Sequence, residues 1–179
     1  ELARDPNNVG IQFLLAVSHY KREEYLEATQ ILELIIKSHP DDFDALFLLA
    51  HIASWGYGGG YSRAVELYRR VLAVREDVNA CIGLALMRRS PGVQMSINES
   101  IELLDRALVI DPSRSEIRQN LAYAYWEAGE LQKAQGHFQE LLKVAKKSAR
   151  PAIERNLQAI SKHQPPEQVV YLGPAPPFG

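Results

Sequence analysis

The stretch SWGYGGGYS, Ser54 to Ser62, sets four glycines among aromatic residues and is the first place to look for chemistry. Glycine-rich loops cradle phosphates when a strand leads in and a lysine and a hydroxyl follow in a GxxxxGK[ST] pattern. Here the lysine is missing, and Ala45 to Ile52 before the loop has the apolar content of a helix, so the dinucleotide fingerprint fails as well. The expectation is a wide inter-helix turn. Glycines there admit left-handed backbone angles and lengthen the reversal. A lesser alternative is an anion held by free amides ahead of Arg63.

Other constellations are weaker. His39-Pro40-Asp41-Asp42-Phe43-Asp44 gathers potential metal ligands, but acids just before a helix are what N-capping and the helix dipole favour. His19, His51 and His137 fall on separate helices with no HExxH or G-x-S-x-G context, and read as helix-surface or groove residues. Lys143, Lys146, Lys147 and Arg150 gather at a helix C-terminal end, where cations are favoured; contact with an acidic partner is the alternative. Arg88-Arg89-Ser90-Pro91-Gly92 reads as a lengthened turn equivalent to the glycine loop, and the two together as an edge contact site. The chain is therefore read as non-catalytic, with no metal and no cofactor.

Bulk properties narrow the partners. With 20 Lys plus Arg against 22 Asp plus Glu, the chain lacks the basic excess of a nucleic-acid binder. Its 46% hydrophobic content can support a core. Cys81, the single cysteine, excludes an internal disulfide framework and a cysteine-based zinc site. No apolar stretch nears the ~18 residues of a membrane span, so direct membrane insertion is not expected. A reducing compartment such as the cytoplasm is slightly favoured. The segment Glu1 to Asn8 reads as the end of a preceding repeat, so an upstream signal or anchor is compatible with the sequence.

The elements that would position such residues repeat along the chain. Leu-Ala recurs at Leu15-Ala16, Leu49-Ala50, Leu84-Ala85 and Leu121-Ala122. A second small residue recurs at Ala28, Ala64, Ser100 and Ala134, each followed four positions later by a large one: Leu32, Tyr68, Leu104 and Phe138. Apolar residues such as Phe13, Ala16, Val17 and Tyr20 fall at helical steps, as do Ala28, Ile31, Leu32 and Ile35. The polar break Lys21-Arg22-Glu23 folds the first pair back as an antiparallel hairpin. Four such units are expected at about 9–42, 43–77, 78–114 and 115–148. A capping helix over 149–163 and an extended, proline-rich tail over 164–179 follow them.

This pattern resembles the tetratricopeptide repeat. The fourth unit carries it best, with Leu121, Ala122, Tyr125, Gly129, Ala134 and Phe138 at the family's spacing, whereas the signature tryptophan is absent from all four units. The resemblance implies an all-α, right-handed superhelical solenoid whose first helices line a concave groove. By register that groove takes Phe13, Val17, Tyr20, Phe47, His51, Trp55, Ile82, Leu86, Arg89, Gln119, Tyr123 and Trp126. Phe13, Val17, Phe47 and His51 stand where the family's carboxylate-gripping members carry lysines and asparagines, so that clamp is not supported. The expectation is a protein-interaction scaffold in a multiprotein assembly. It would bind an extended or helical segment with apolar anchors, oriented by Arg89, Gln119 and Asn120. The alternative is a structural spacer or self-associating segment of a longer repeat protein, its groove covered by its own or a neighbour's tail 164–179.

Overall fold

The structure, a computed structural model, describes residues 8–165 and 172–173. Among them it contains nine α-helices and no strand, the all-α, repeat-type solenoid that the sequence spacing implies. The expectations placed on Glu1 to Asn7 and on most of the tail lie outside the described residues.

By packing, the chain forms two compact units. The first runs to Val93 and holds α1 (Val9–Lys21), α2 (Tyr25–Ser38), α3 (Phe43–Ala53), α4 (Gly60–Val74) and α5 (Val78–Met87). Each helix packs on the next one in the chain. The second, from Gln94, holds α6 (Ile97–Ile110), α7 (Ser115–Glu127), α8 (Leu131–Val144) and α9 (Arg150–Ser161), again packed in sequence order.

Local chemistry sets the helix starts. Asn8, Asp42 and Asp77 each accept a hydrogen bond from the amide three residues on, at 3.2, 2.8 and 2.8 Å. Ser96 does the same for α6 at 3.0 Å. These bonds satisfy amides that a first helical turn leaves without partners. The acids of His39 to Asp44 thus serve as a cap, through Asp42.

The small residues mark where the helices approach. Ala16, Ala28, Ala50, Ala64, Ala85, Ser100, Ala122 and Ala134 are all buried, and so are Leu32, Tyr68, Leu104 and Phe138 four residues beyond the second set. Gly83 belongs to the same device. A Cβ there would lie 2.5 Å from Cζ of Tyr68, so the tyrosine ring of α4 rests directly on the backbone of α5. Gly136 on α8 is the opposite case, since a Cβ there would meet nothing within 4 Å.

The first unit encloses a histidine. His51 is 4% exposed, and neither ring nitrogen has a hydrogen-bond partner among the described residues. Burial pushes its imidazole down to about 4, so the folded chain holds it neutral.

Two expected outcomes follow from this packing. In urea denaturation, Gly83→Ala, Ala28→Leu and Ala134→Leu should each lose about 1–3 kcal/mol by overpacking. Gly136→Ala should gain ~0.5–1 kcal/mol from helix propensity alone. For His51 the unfolded chain binds a proton near pH 6.5 while the folded chain resists until about 4. Its contribution is therefore complete above pH 6.5 and lost as pH falls towards 4, by up to ~1.4 kcal/mol per pH unit. Denaturation midpoints measured from pH 7 to 4 should fall, and His51→Phe should make that fall shallower.

Candidate functional site

Ser54 to Gly59 of the SWGYGGGYS stretch form the turn between α3 and α4, and Gly60 to Ser62 open α4. Gly56, Gly58, Gly59 and Gly60 all take positive φ, at 91°, 56°, 103° and 76°. A Cβ on Gly58 would lie 3.0 Å from Oγ1 of Thr29, so the loop is seated closely on α2. Arg63, the cation that an anion here would use, already pairs with Glu66 at 2.7 Å and Glu33 at 3.4 Å. Among the described residues no cluster of His, Cys, Asp and Glu could hold a metal ion.

Beside this turn the first unit gathers an aromatic ridge. The Tyr20 and Trp55 rings are nearly parallel, 17° apart with centroids at 6.0 Å. His51 meets Trp55 edge-on at 4.6 Å and Tyr20 at 6.0 Å. Tyr25, the first residue of α2, sets its ring edge-on to Trp55 at 5.4 Å and tilts against Tyr57 at 4.8 Å. Tyr20 and His51 are buried beneath, while Trp55 and Tyr57 are 45% and 51% exposed. Burial, with Tyr25 adding, holds the Tyr20 hydroxyl above its usual range, so it stays neutral. Tyr25 and Tyr57 were missed by the repeat register because one starts a second helix and the other sits in the turn. Their proximity to Trp55 depends on how the turn closes, which spacing does not encode.

The remaining expected positions in this unit divide. Phe13, Val17 and Leu86 are half-buried and Arg89 is exposed. Phe47 and Ile82 are buried. Phe47 lies between Phe43, at 6.1 Å, and the edge of Tyr68, at 6.2 Å. Arg75 in turn stacks its guanidinium 3.6 Å from the Phe43 ring centre. Phe47 and Ile82 thus serve as packing in this structure, and so does His51, which the sequence had placed on a helix surface or in a groove.

In the second unit Tyr123 and Trp126 lie parallel, 2° apart with centroids at 6.5 Å, and Phe138 of α8 meets both edge-on. Both are buried. The Tyr123 hydroxyl accepts from Asn156 Nδ2 of α9 at 3.0 Å. Gln119, half-buried, lines a cleft of about 440 Å³ together with Leu141, Val144, Lys146 and Ile153. Next to it Asn120 is 0% exposed. Its Nδ2 donates to the Leu172 carbonyl at 2.8 Å, and the Leu172 N–H donates to its Oδ1 at 2.8 Å. Six residues further on, Trp126 Nε1 donates to the Gln164 carbonyl at 3.2 Å.

Three other polar residues singled out in the sequence are engaged locally. His19 Nδ1 is 2.6 Å from Glu24, His137 stacks on Tyr125 at 5.5 Å, and Lys143 pairs with Glu140 at 2.5 Å. The Tyr125 hydroxyl donates to Asp105 at 3.0 Å. Burial, with the Asp105 carboxylate adding, pushes that hydroxyl up to about 12. No helix among the described residues is long and apolar enough to cross a membrane.

Comparison with known proteins agrees with this architecture. Two family models, both described as tetratricopeptide repeat, match residues 11–42 and 96–159, together more than half of the chain. No curated protein sequence matches it. Among solved structures it resembles YrrB, described as a TPR protein with an unusual peptide-binding site, at TM-score 0.77 and 12% identity. That likeness covers 90% of this chain and 80% of YrrB. It also resembles MamA from Desulfovibrio magneticus RS-1, at TM-score 0.69 and 17% identity over 87% of this chain and 80% of that one. MamA AMB-1 is similar at TM-score 0.67 and 22% identity, over 80% of this chain and 78% of that one. From the repeated small residues, the paired helices and the two family matches, the chain belongs to the tetratricopeptide repeat family.

Proposed function

We propose that this chain is a non-catalytic interaction scaffold that binds an extended or helical protein segment through apolar and aromatic anchors. The observation that carries this reading is the ridge of Tyr20, Tyr25, His51, Trp55 and Tyr57, buried at its base and open at Trp55 and Tyr57. Large aromatic rings held rigidly by neighbours and half open to water are the anchors that dominate protein–protein affinity, because they bury much area at little entropic cost. Phe13 and Val17 on α1 add half-open apolar surface in the same unit. YrrB, similar in fold, is described as having a peptide-binding site, which is in keeping with this use. No nucleic-acid or cofactor role is proposed.

A random peptide display library selected against the full chain tests it. The enriched peptides should carry aromatic or aliphatic anchors. Trp55→Ala should weaken a selected peptide by about 2 kcal/mol, roughly 30-fold, with the thermal melt retained. Added salt should change the affinity little, since an apolar contact has no charge to screen. If replacing Lys143 and Lys147 abolishes binding while Trp55→Ala does not, the basic helix end is the site and the aromatic reading is wrong.

A further inference from the structure

Three polar groups on the aromatic ridge of the first unit are spent on no other part of the chain. Trp55 Nε1 and the hydroxyls of Tyr25 and Tyr57 make no hydrogen bond among the described residues. All three are donors, and the indole is a donor only. The rings that carry them stand at helix ends rather than along a helix face. Tyr25 opens α2, and Trp55 and Tyr57 belong to the turn after α3. Tyr25 touches both of the others, and its centroid distances of 5.4 and 4.8 Å place the Trp55 and Tyr57 rings within about 10 Å of each other.

These donors sort the segments that could lie here. A helix offers them little, because its carbonyls are taken by its own amides. An ordinary extended segment has free carbonyls but also amides that need acceptors, and an indole supplies none. A proline-rich segment has unpaired carbonyls and no N–H at each proline. Its shape fits as well. Polyproline II repeats every three residues at ~3.1 Å each, so prolines three apart stand ~9 Å apart on one edge, an interval these two rings can span. Being already extended, it loses little freedom when its apolar rings settle on aromatic faces. Charge adds a preference at one end. In the α1–α2 turn Arg22 pairs with Glu24 at 2.8 Å, and Glu24 also meets His19 at 2.6 Å. Glu23, at φ 62°, is in no ion pair among the described residues. Burial, with the Glu23 carboxylate adding, holds the Tyr25 hydroxyl above its usual range, so this charge reaches the ridge.

We propose that Tyr25, Trp55 and Tyr57 form a site for a proline-rich polyproline II segment of a partner protein, flanked by a lysine or arginine. Prolines three apart rest on Trp55 and Tyr57, and carbonyls between them accept from the indole and the phenols. The basic residue faces Glu23. This rests on the peptide-binding reading of the ridge given above, and adds to it the class of segment bound.

The chain has 2 tryptophans, so nitrogen-15 NMR gives an indole resonance for each, Trp55 and Trp126. Titrating the full chain with the synthetic peptide K-P-P-A-P-P-A-P-P should shift the Trp55 indole saturably and leave that of Trp126 in place. By fluorescence anisotropy the labelled peptide should bind at least about tenfold more tightly than a version with serine at every proline. Trp55→Ala should weaken it roughly 30-fold; Trp55→Phe, which keeps a ring but has no N–H, should weaken it about three- to tenfold. Alanine for the peptide's lysine, or Glu23→Gln, should each cost about two- to fivefold at low salt, and both together no more than either alone. An unmoved Trp55 indole, a shift at Trp126 instead, or equal binding of the serine peptide overturns the proposal. Full affinity in Trp55→Phe overturns the donor role, and full affinity in Glu23→Gln overturns the basic flank. If a leucine-anchored helical peptide shifts the Trp55 indole while the proline peptide does not, the ridge is still a peptide site and only the proline reading falls. The wider reading falls separately, if display selection yields no peptide whose binding needs Trp55.

Discussion

Close approach of helix backbones is the constraint on which the rest of this molecule depends. Within α1–α2, α3–α4 and α7–α8, buried alanines stand on both partners: Ala16 and Ala28, Ala50 and Ala64, Ala122 and Ala134. A methyl side chain there adds almost nothing to the distance between helix axes. The large residue four positions on, Leu32, Tyr68 or Phe138, then fills the space where the axes diverge. Gly83 carries the principle to its limit, giving up even the methyl so that Tyr68 can lie on backbone.

That constraint explains which expected surface positions became core. The helix α3 packs against both α2 and α4, and every residue from Ala45 to Ala53 is buried. A helix enclosed in this way has no free stripe, and FDALFLLAHIA accordingly shows no continuous polar face. Phe47 and His51 therefore belong to the interior, with His51 held neutral by the same burial. By contrast α1 packs mainly on α2, and Phe13 and Val17 stay half open.

Periodicity was enough to reveal the helices, the hairpin breaks and the small-residue positions, because these follow from neighbours three and four apart. The family register put Trp55 among the groove positions, and the structure has it half open in the turn after α3. Periodicity could not separate a lining position from a core position, since Ile82 and Leu86 differ only in how much a neighbouring element covers them. Nor could it reveal contacts made by chain closure. Tyr57 reaches Tyr25 because four glycines take left-handed angles, and Asn120 meets Leu172 across 52 residues. The sequence identified Asn120 as a residue that could orient an extended ligand; the residue bonded to it belongs to the same chain.

The two units thus present different kinds of surface. The ridge around Trp55 offers ring faces and edges, which discriminate among side chains by shape and apolar area. In the second unit the buried Asn120 carboxamide is a paired donor and acceptor, both taken by the Leu172 main chain. Neither surface carries a dense single-sign charge, in keeping with a chain whose acidic and basic residues nearly balance at 22 and 20.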